Sequence, residues 1–287
     1  MRERRTALFL VAAIALVLLV ALYFFGVRTA WGQRIDAAAL RGSGTLRPTA
    51  VHAAGRLLAT IDVASLALIG AAIVLVAVTR RRPFLAIGVA IIIGASVVTT
   101  EMLKHVILPR PYLGVVDLLR FHPSFPSGHT TVAMSLAVAA TLVTPVRARG
   151  WVALVAALYA SSIGIATVAT GNHRPSDPIG AVLVVTFWAA LVMAGLTTIS
   201  TTVPRERQGP TISPALALGG IIALGVAFAA LVVTAVAIRQ ARLGSVGLRG
   251  AFVGAAAAIA GAAFVAIATL VWVLRDVTVD PPPPTDG

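Results

Sequence analysis

The chain has 287 residues, 59% of them apolar and 11% charged, and its mean hydropathy is +0.96. Soluble domains average about 45–50% apolar and about 25% charged residues, so this composition excludes a water-soluble globule and makes the bilayer the main solvent. The net charge of +13 is carried by arginine, Lys104 being the only lysine, and the lack of cysteine excludes disulfides, thiolate metal sites and cysteine nucleophiles. The arginines lie in short groups between long apolar runs, a layout that fits anionic lipid and not nucleic acid.

Apolar runs of about 17 to 24 residues match a hydrocarbon core about 30 Å thick and predict eight membrane helices. In chain order they run from Ala7 to Gly26, Leu57 to Val78, Phe84 to Leu103, Thr130 to Val146, Trp151 to Thr170, Ile179 to Ile199, Ala215 to Ile238 and Ala251 to Leu274. The first reads as a retained anchor, being longer than a signal-peptide core and lacking a clean small-residue cleavage site. Basic clusters at Arg2, Arg4 and Arg5, at Arg80 to Arg82, at Arg147 and Arg149, and at Arg205 and Arg207 fall on one side, which the positive-inside rule makes cytoplasmic. The connection from Arg28 to Arg56 would then lie outside, along the headgroups, in a structural role. The last two runs follow the polar Pro204 to Pro214 segment and read as an appendage, and the tail from Asp280, with four consecutive prolines, reads as disordered.

Polar residues gather in two connections. The first reads Lys104, His105, Val106, Ile107, Leu108, Pro109, Arg110, Pro111 and ends in Pro126, Ser127, Gly128, His129 ahead of the fourth helix. The second reads Asn172, His173, Arg174, Pro175, Ser176, Asp177, Pro178. Two crossings separate them, so both return to the same face of the membrane. A helix start preceded by Ser127 and Gly128 offers unpaired N–H groups and the positive dipole end to an anion, and Lys104 and Arg110 add the charge a phosphoryl group requires. Asp177, in the first turn of the sixth helix, is placed to hold one ring nitrogen of His173 protonated and leave the other as a nucleophile. His129 remains for proton transfer to a leaving oxygen.

Lys104 with Arg110-Pro111, the string from Pro126 to His129, and His173 with Asp177 together resemble the type 2 phosphatidic acid phosphatase superfamily, over about residues 1 to 200. The resemblance implies catalysis by His173, Asp177 and His129 through a phosphohistidine, with the phosphoryl oxygens held by Lys104, Arg110, Ser127 and the Gly128 amide and no metal or cofactor. Two departures stand out. Five residues separate Lys104 from Arg110 where the family has six, and Ala166 and Thr167 occupy the place of the family's Ser-Arg pair, for which Arg174 is the candidate substitute.

Other polar residues read more plainly. Glu101 is spaced to pair locally with Lys104 and His105, and Lys104 itself has the alternative reading of a snorkelling anchor. Asp62 is either a structural hydrogen-bond partner or a neighbour of the substrate headgroup. His52, His105 and His122 read as interfacial, Arg80 to Arg82 as topology anchors, and Gly254 and Gly261 as marks of close helix packing.

The expected fold is all-α, a polytopic membrane helical bundle: a six-helix lipid phosphatase core over residues 1–203, two additional transmembrane helices over 204–279 and a Pro-rich tail over 280–287. The expected protein is a multi-pass plasma-membrane hydrolase of a lipid phosphate or polyprenyl pyrophosphate, with its site facing outside and no nucleic-acid partner. Phosphatidic acid and phosphatidylglycerol phosphate also fit; the family resemblance favours these substrates, with recycling of bacterial envelope lipids first. A lipid-binding or transport protein on the same fold and a lipid phosphotransferase are the alternatives.

Overall fold

The computed structural model describes residues 1–61, 63–115, 124–202, 212–240 and 242–279. Asp62, His122, Arg205, Arg207, most of the Pro204 to Pro214 segment and the Pro-rich tail lie outside the described residues.

Ten α-helices are present among the described residues: α1 (Arg2–Ala21), α2 (Ala30–Ser43), α3 (Pro48–Leu58), α4 (Val63–Thr79), α5 (Pro83–Met102), α6 (Gly128–Val143), α7 (Val146–Ala169), α8 (Ser176–Leu196), α9 (Ser213–Arg239) and α10 (Ser245–Val273). Single π-helical stretches, Leu22–Val27 and Leu103–Ile107, prolong α1 and α5. The ends follow local chemistry. Pro48 and Pro83 occupy first turns, where the missing N–H costs nothing. The Thr29 hydroxyl caps α2 by accepting from the Gly32 amide at 3.0 Å. After α7, Gly171 takes a left-handed φ of 78°, which a glycine adopts without strain, and so turns the chain into the second polar connection. Thr144 is extended, as the residue before Pro145 must be, and this ends α6.

The protein is an all-α membrane bundle. Six helical stretches among the described residues are long and apolar enough to cross a bilayer: Arg2–Val27, Pro83–Ile107, Val146–Ala169, Ser176–Ile199, Ser213–Arg239 and Ser245–Val273. The second and fourth expected spans are shorter apolar helices, Ser65–Thr79 and Gly128–Val143, because the chain breaks between α3 and α4 and because Pro145 stops α6 early. Outward faces of α1 and α9 carry exposed Val17, Phe25, Phe228 and Val233, side chains that a lipid solvent accommodates and water does not.

The main apolar cluster runs through the bundle, with Ile92, Met134, Val185 and Ile267 fully buried, and smaller clusters flank it. Helix α10 packs along α9 and also against α2, α7 and α8, and contributes Ala263, Ile267 and Val271 to the main cluster. Close approach requires small residues. A Cβ added at Gly261 would lie 2.8 Å from Leu224 Cγ, and one added at Gly254 would collide with Ala230, as expected of packing glycines.

At one end of the bundle, β1 (Ser200–Thr202) and β2 (Val277–Val279) form an antiparallel pair, Ser200 facing Val279 and Thr202 facing Val277. Arg4 reaches Asp276 at 2.6 Å, Arg80 donates to the Val143 carbonyl at 3.1 Å, and Arg149 donates to the carbonyls of Leu274 and Val277 at 2.6 and 3.1 Å. Three basic groups thus gather at this end, while both polar connections emerge at the other.

Candidate active site

Helix α5 runs on through its π-helical turn to Ile107, and this carries Lys104 to the start of α6. Its Nζ pairs with Glu101 Oε1 at 2.6 Å, and a Cβ added at Gly128 would lie 3.4 Å from that Nζ. The shorter spacing to Arg110 therefore leaves Lys104 beside Gly128. One turn back, the hydroxyls of Thr100 and Thr131 meet at 2.9 Å in the interior and fix α5 against α6. His105 contacts Glu101 Oε2 at 3.2 Å and is more than half exposed, and His52 is exposed, as interfacial residues are.

Ser127 is the N-cap of α6, accepting from the Thr130 amide at 3.4 Å and from the Thr130 hydroxyl at 3.2 Å. The amides of Gly128 and His129 in the first turn have no acceptor within the helix, which is the general reason such ends bind anions. The loop ahead of them is seated by Phe125. Its ring is buried against Gly180 of α8, where an added Cβ would lie 2.6 Å from Phe125 Cε2.

The second connection is fixed by backbone. The Thr167 carbonyl accepts from the amides of Asn172 and His173 at 3.1 and 3.0 Å, while its hydroxyl turns back to the Gly164 carbonyl at 2.7 Å. Thr167 thus orients the loop through its main chain, at the place where the family has arginine. His173 Nδ1 lies 3.2 Å from Asp177 Oδ2, which also accepts from the Arg174 amide at 2.9 Å. The other oxygen of Asp177 accepts from Arg110 Nη2 at 2.7 Å. Ser127 N–H donates to the Asp177 carbonyl at 3.0 Å, and His129 is within electrostatic reach of both His173 and Lys104.

Arg110 is turned inward. Its side chain is 1% exposed, and among the described residues its Nε and Nη1 have no hydrogen-bond partner. Arg174 is also buried, with Nη1 3.4 Å from Ser124 Oγ. Burial and the nearby Arg110 charge lower the Arg174 pKa below its ordinary value, while Asp177 and Asp36 oppose this. Among the described residues no group of three or more His, Asp or Glu side chains is placed to hold a metal ion.

A family model described as the PAP2 superfamily matches residues 59–200. Over that span the chain belongs to the PAP2 superfamily. No curated protein and no solved structure matches the chain. PAP2 proteins are generally phosphatase-type hydrolases, and with the six candidate spans this makes the chain a multi-pass membrane protein of phosphatase type. The PAP2 match contains Lys104, Arg110, Ser127, Gly128, His129, His173 and Asp177, and excludes α1, α2, α3, α9 and α10.

Three residues outside the PAP2 span bear on the site and went unread in the sequence. Tyr23 donates its hydroxyl to the Pro109 carbonyl at 2.9 Å, and Gln33 donates to the Pro111 carbonyl at 2.8 Å, so the backbone is held on both sides of Arg110. Asp36 accepts from the Ser176 hydroxyl at 2.6 Å and from the Ser176 amide at 3.2 Å. The available signal was the spacing of Gln33 and Asp36, three residues apart on one face of a short helix and followed by Ala37 to Ala39.

Proposed function

We propose that the protein is a lipid phosphatase that works through a phosphohistidine at His173. The observation that carries this reading is the His173 to Asp177 contact at 3.2 Å. A carboxylate on Nδ1 keeps the proton there and leaves the Nε2 lone pair for attack. Nε2 forms a bond to phosphorus, the bond from phosphorus to the lipid oxygen breaks, and protonated His129 gives its proton to that oxygen. Water then attacks the phosphohistidine, its proton passes to His129, and inorganic phosphate leaves. Lys104 and the amides at the start of α6 balance the charge on the phosphoryl oxygens, and Ser127 and Gly128 allow their close approach. Arg110 holds Asp177 and directs positive charge toward the same oxygens. No step calls for a metal ion.

A lipid tail is supported by two apolar cavities, of about 630 and 560 Å³, that share Leu22, Phe25, Gly26 and Ile179. The first lies between α1, α8, α9 and α10, and the second reaches Pro175 and Ser176. The site lies at the end opposite Arg4, Arg80 and Arg149, so the positive-inside rule favours an extracytoplasmic site in the plasma membrane. Phosphatidic acid, phosphatidylglycerol phosphate and polyprenyl pyrophosphates are the substrate class, with envelope lipid recycling favoured.

The test is phosphate release by purified protein in detergent with EDTA, from a panel of these lipids. Release that is lost in His173→Ala is the expected result. Release that survives His173→Ala removes the nucleophile assignment, and no release from any lipid removes the phosphatase reading in favour of lipid binding or transport.

A further inference from the structure

Asp36 is a buried carboxylate contributed by α2, outside the PAP2 span, yet it stands against the site. Both of its oxygens are engaged by Ser176, the first residue of α8, and Oδ2 is 3.8 Å from Arg110 Nη1. Ser176 immediately precedes Asp177, and Arg110 Nη2 also approaches the Ser176 hydroxyl at 3.4 Å. Any shift of Ser176 therefore moves the carboxylate that orients His173, and any shift of Arg110 moves the cation that holds that carboxylate. Gln33, one turn back on α2, and Tyr23 pin the carbonyls flanking Arg110.

Resting on the phosphatase reading above, we propose that Asp36 is a positioning residue of the active site: through Ser176 and Arg110 it fixes the first turn of α8 and thereby the His173–Asp177 pair. Asp36 touches no reacting atom in this role. The charged groups facing it are Arg110 from the segment after α5, Asp177 from α8 and Arg174 from the loop before α8. The cavity wall that α9 and α10 present beside it, including Phe228, Thr234 and Ala255, carries no charge, and Arg239 of α9 is occupied over the Trp31 ring. Burial is the main reason the Asp36 carboxyl is raised to about 6, so its charge changes within an accessible pH range. Ionised, it accepts both Ser176 bonds. Protonated, it loses one acceptor site, and the turn loosens.

The experiment compares wild type, Asp36→Ala and Asp36→Asn as purified full-length proteins. Misplacement of a catalytic group costs on the order of 100-fold, so Asp36→Ala is expected to lower kcat by about 10- to 100-fold with KM little changed. Asp36→Asn keeps one oxygen for Ser176 but, like the protonated carboxyl, lacks the second acceptor, so its kcat at pH 7.5 is expected to lie between those of Asp36→Ala and wild type. The acid limb of log kcat below about pH 6 is expected to be steeper in wild type than in Asp36→Asn. Wild-type kcat in Asp36→Ala, or parallel acid limbs, overturns the proposal.

Sulfate gives a readout that does not need turnover, being a tetrahedral dianion of constant charge across this range. The ratio of wild-type to Asp36→Asn Kd for sulfate is expected to be near unity at pH 5 and to rise several-fold at pH 7.5, where ionised Asp36 opposes the anion. A flat ratio overturns the placement of Asp36 behind the anion site. If wild type releases no phosphate from any lipid while the ratio still rises with pH, the phosphatase reading falls and the placement of Asp36 stands.

Discussion

The amide of Ser127 donates to the carbonyl of Asp177 at 3.0 Å, and this one bond joins the N-cap of α6 to the first turn of α8. The two polar connections, separated in sequence by α6 and α7, are therefore a single hydrogen-bonded unit. On the phosphatase reading, the helix start that would hold the anion and the Asp177 that would orient the nucleophile share one backbone, and relative motion between them must break a buried bond.

Asp177→Asn tests that unit from the α8 side. Asparagine is nearly isosteric but cannot hold the His173 tautomer, and it leaves the buried Arg110 without the negative charge it meets at 2.7 Å. An equivalent change in a serine-protease triad costs about 10⁴ in turnover, and breaking a buried ion pair costs about 3–5 kcal/mol. The variant is expected to lose at least about 100-fold in kcat and to unfold at lower temperature. Phosphate release and thermal unfolding in detergent check both. Turnover within a few-fold of wild type contradicts the orienting role of Asp177.

Gly180→Val tests the unit from below. The glycine surface is where the Phe125 ring lies, and an added Cβ would fall 2.6 Å from Cε2. Overpacking of this kind costs about 1–3 kcal/mol. Relief requires Phe125 to move, and with it the loop that leads to Ser127. Lower kcat and a lower unfolding midpoint are expected together, measured on the same preparation. A second change that shortens the ring, Phe125→Leu, is expected to restore part of both.

The membrane class and the two motif loops were legible because both are local properties of sequence. Composition and run length report the solvent, and Ser127, Gly128 and His129 announce a helix start whatever surrounds them. The contribution of α2 was hidden because it is tertiary. Arg28 to Arg56 carries five arginines and reads as a surface connection, yet α2 turns Gln33, Asp36 and Ala39 inward. The inward turn of Arg110 was hidden for the same reason: its direction is set by Asp177 and Asp36, which lie 67 and about 74 residues away along the chain. The pairing of β1 with β2 joins residues that no local pattern links.

Asp36 also predicts how stability responds to pH. Its carboxyl is raised from 3.8 to about 6 by burial, so the folded protein binds a proton that the unfolded chain has already released between these values. Stability then falls as pH rises through about 4 to 6, and the ionised group is a net cost above that window, on the order of 1–3 kcal/mol. Asp36→Asn removes the titration. Its unfolding midpoint, relative to wild type, is expected to be higher at pH 7.5 than at pH 4. Thermal scans of both proteins across this range check it, and a difference that does not vary with pH contradicts it.

Arg149→Met probes the opposite end of the molecule. The buried guanidinium donates to the carbonyls of Leu274 and Val277, and so ties α7 to the turn between α10 and β2. Methionine fills similar volume but leaves both carbonyls without that donor, at about 1–3 kcal/mol for each buried group left unpaired. Removal of a charge from an apolar interior offsets part of this loss. The expected outcome is a lower unfolding midpoint with kcat and KM unchanged while the protein stays folded, because Arg149 touches neither polar connection. A loss of turnover at an unchanged midpoint would show that the two ends of the bundle are coupled, contrary to the layout of the helices.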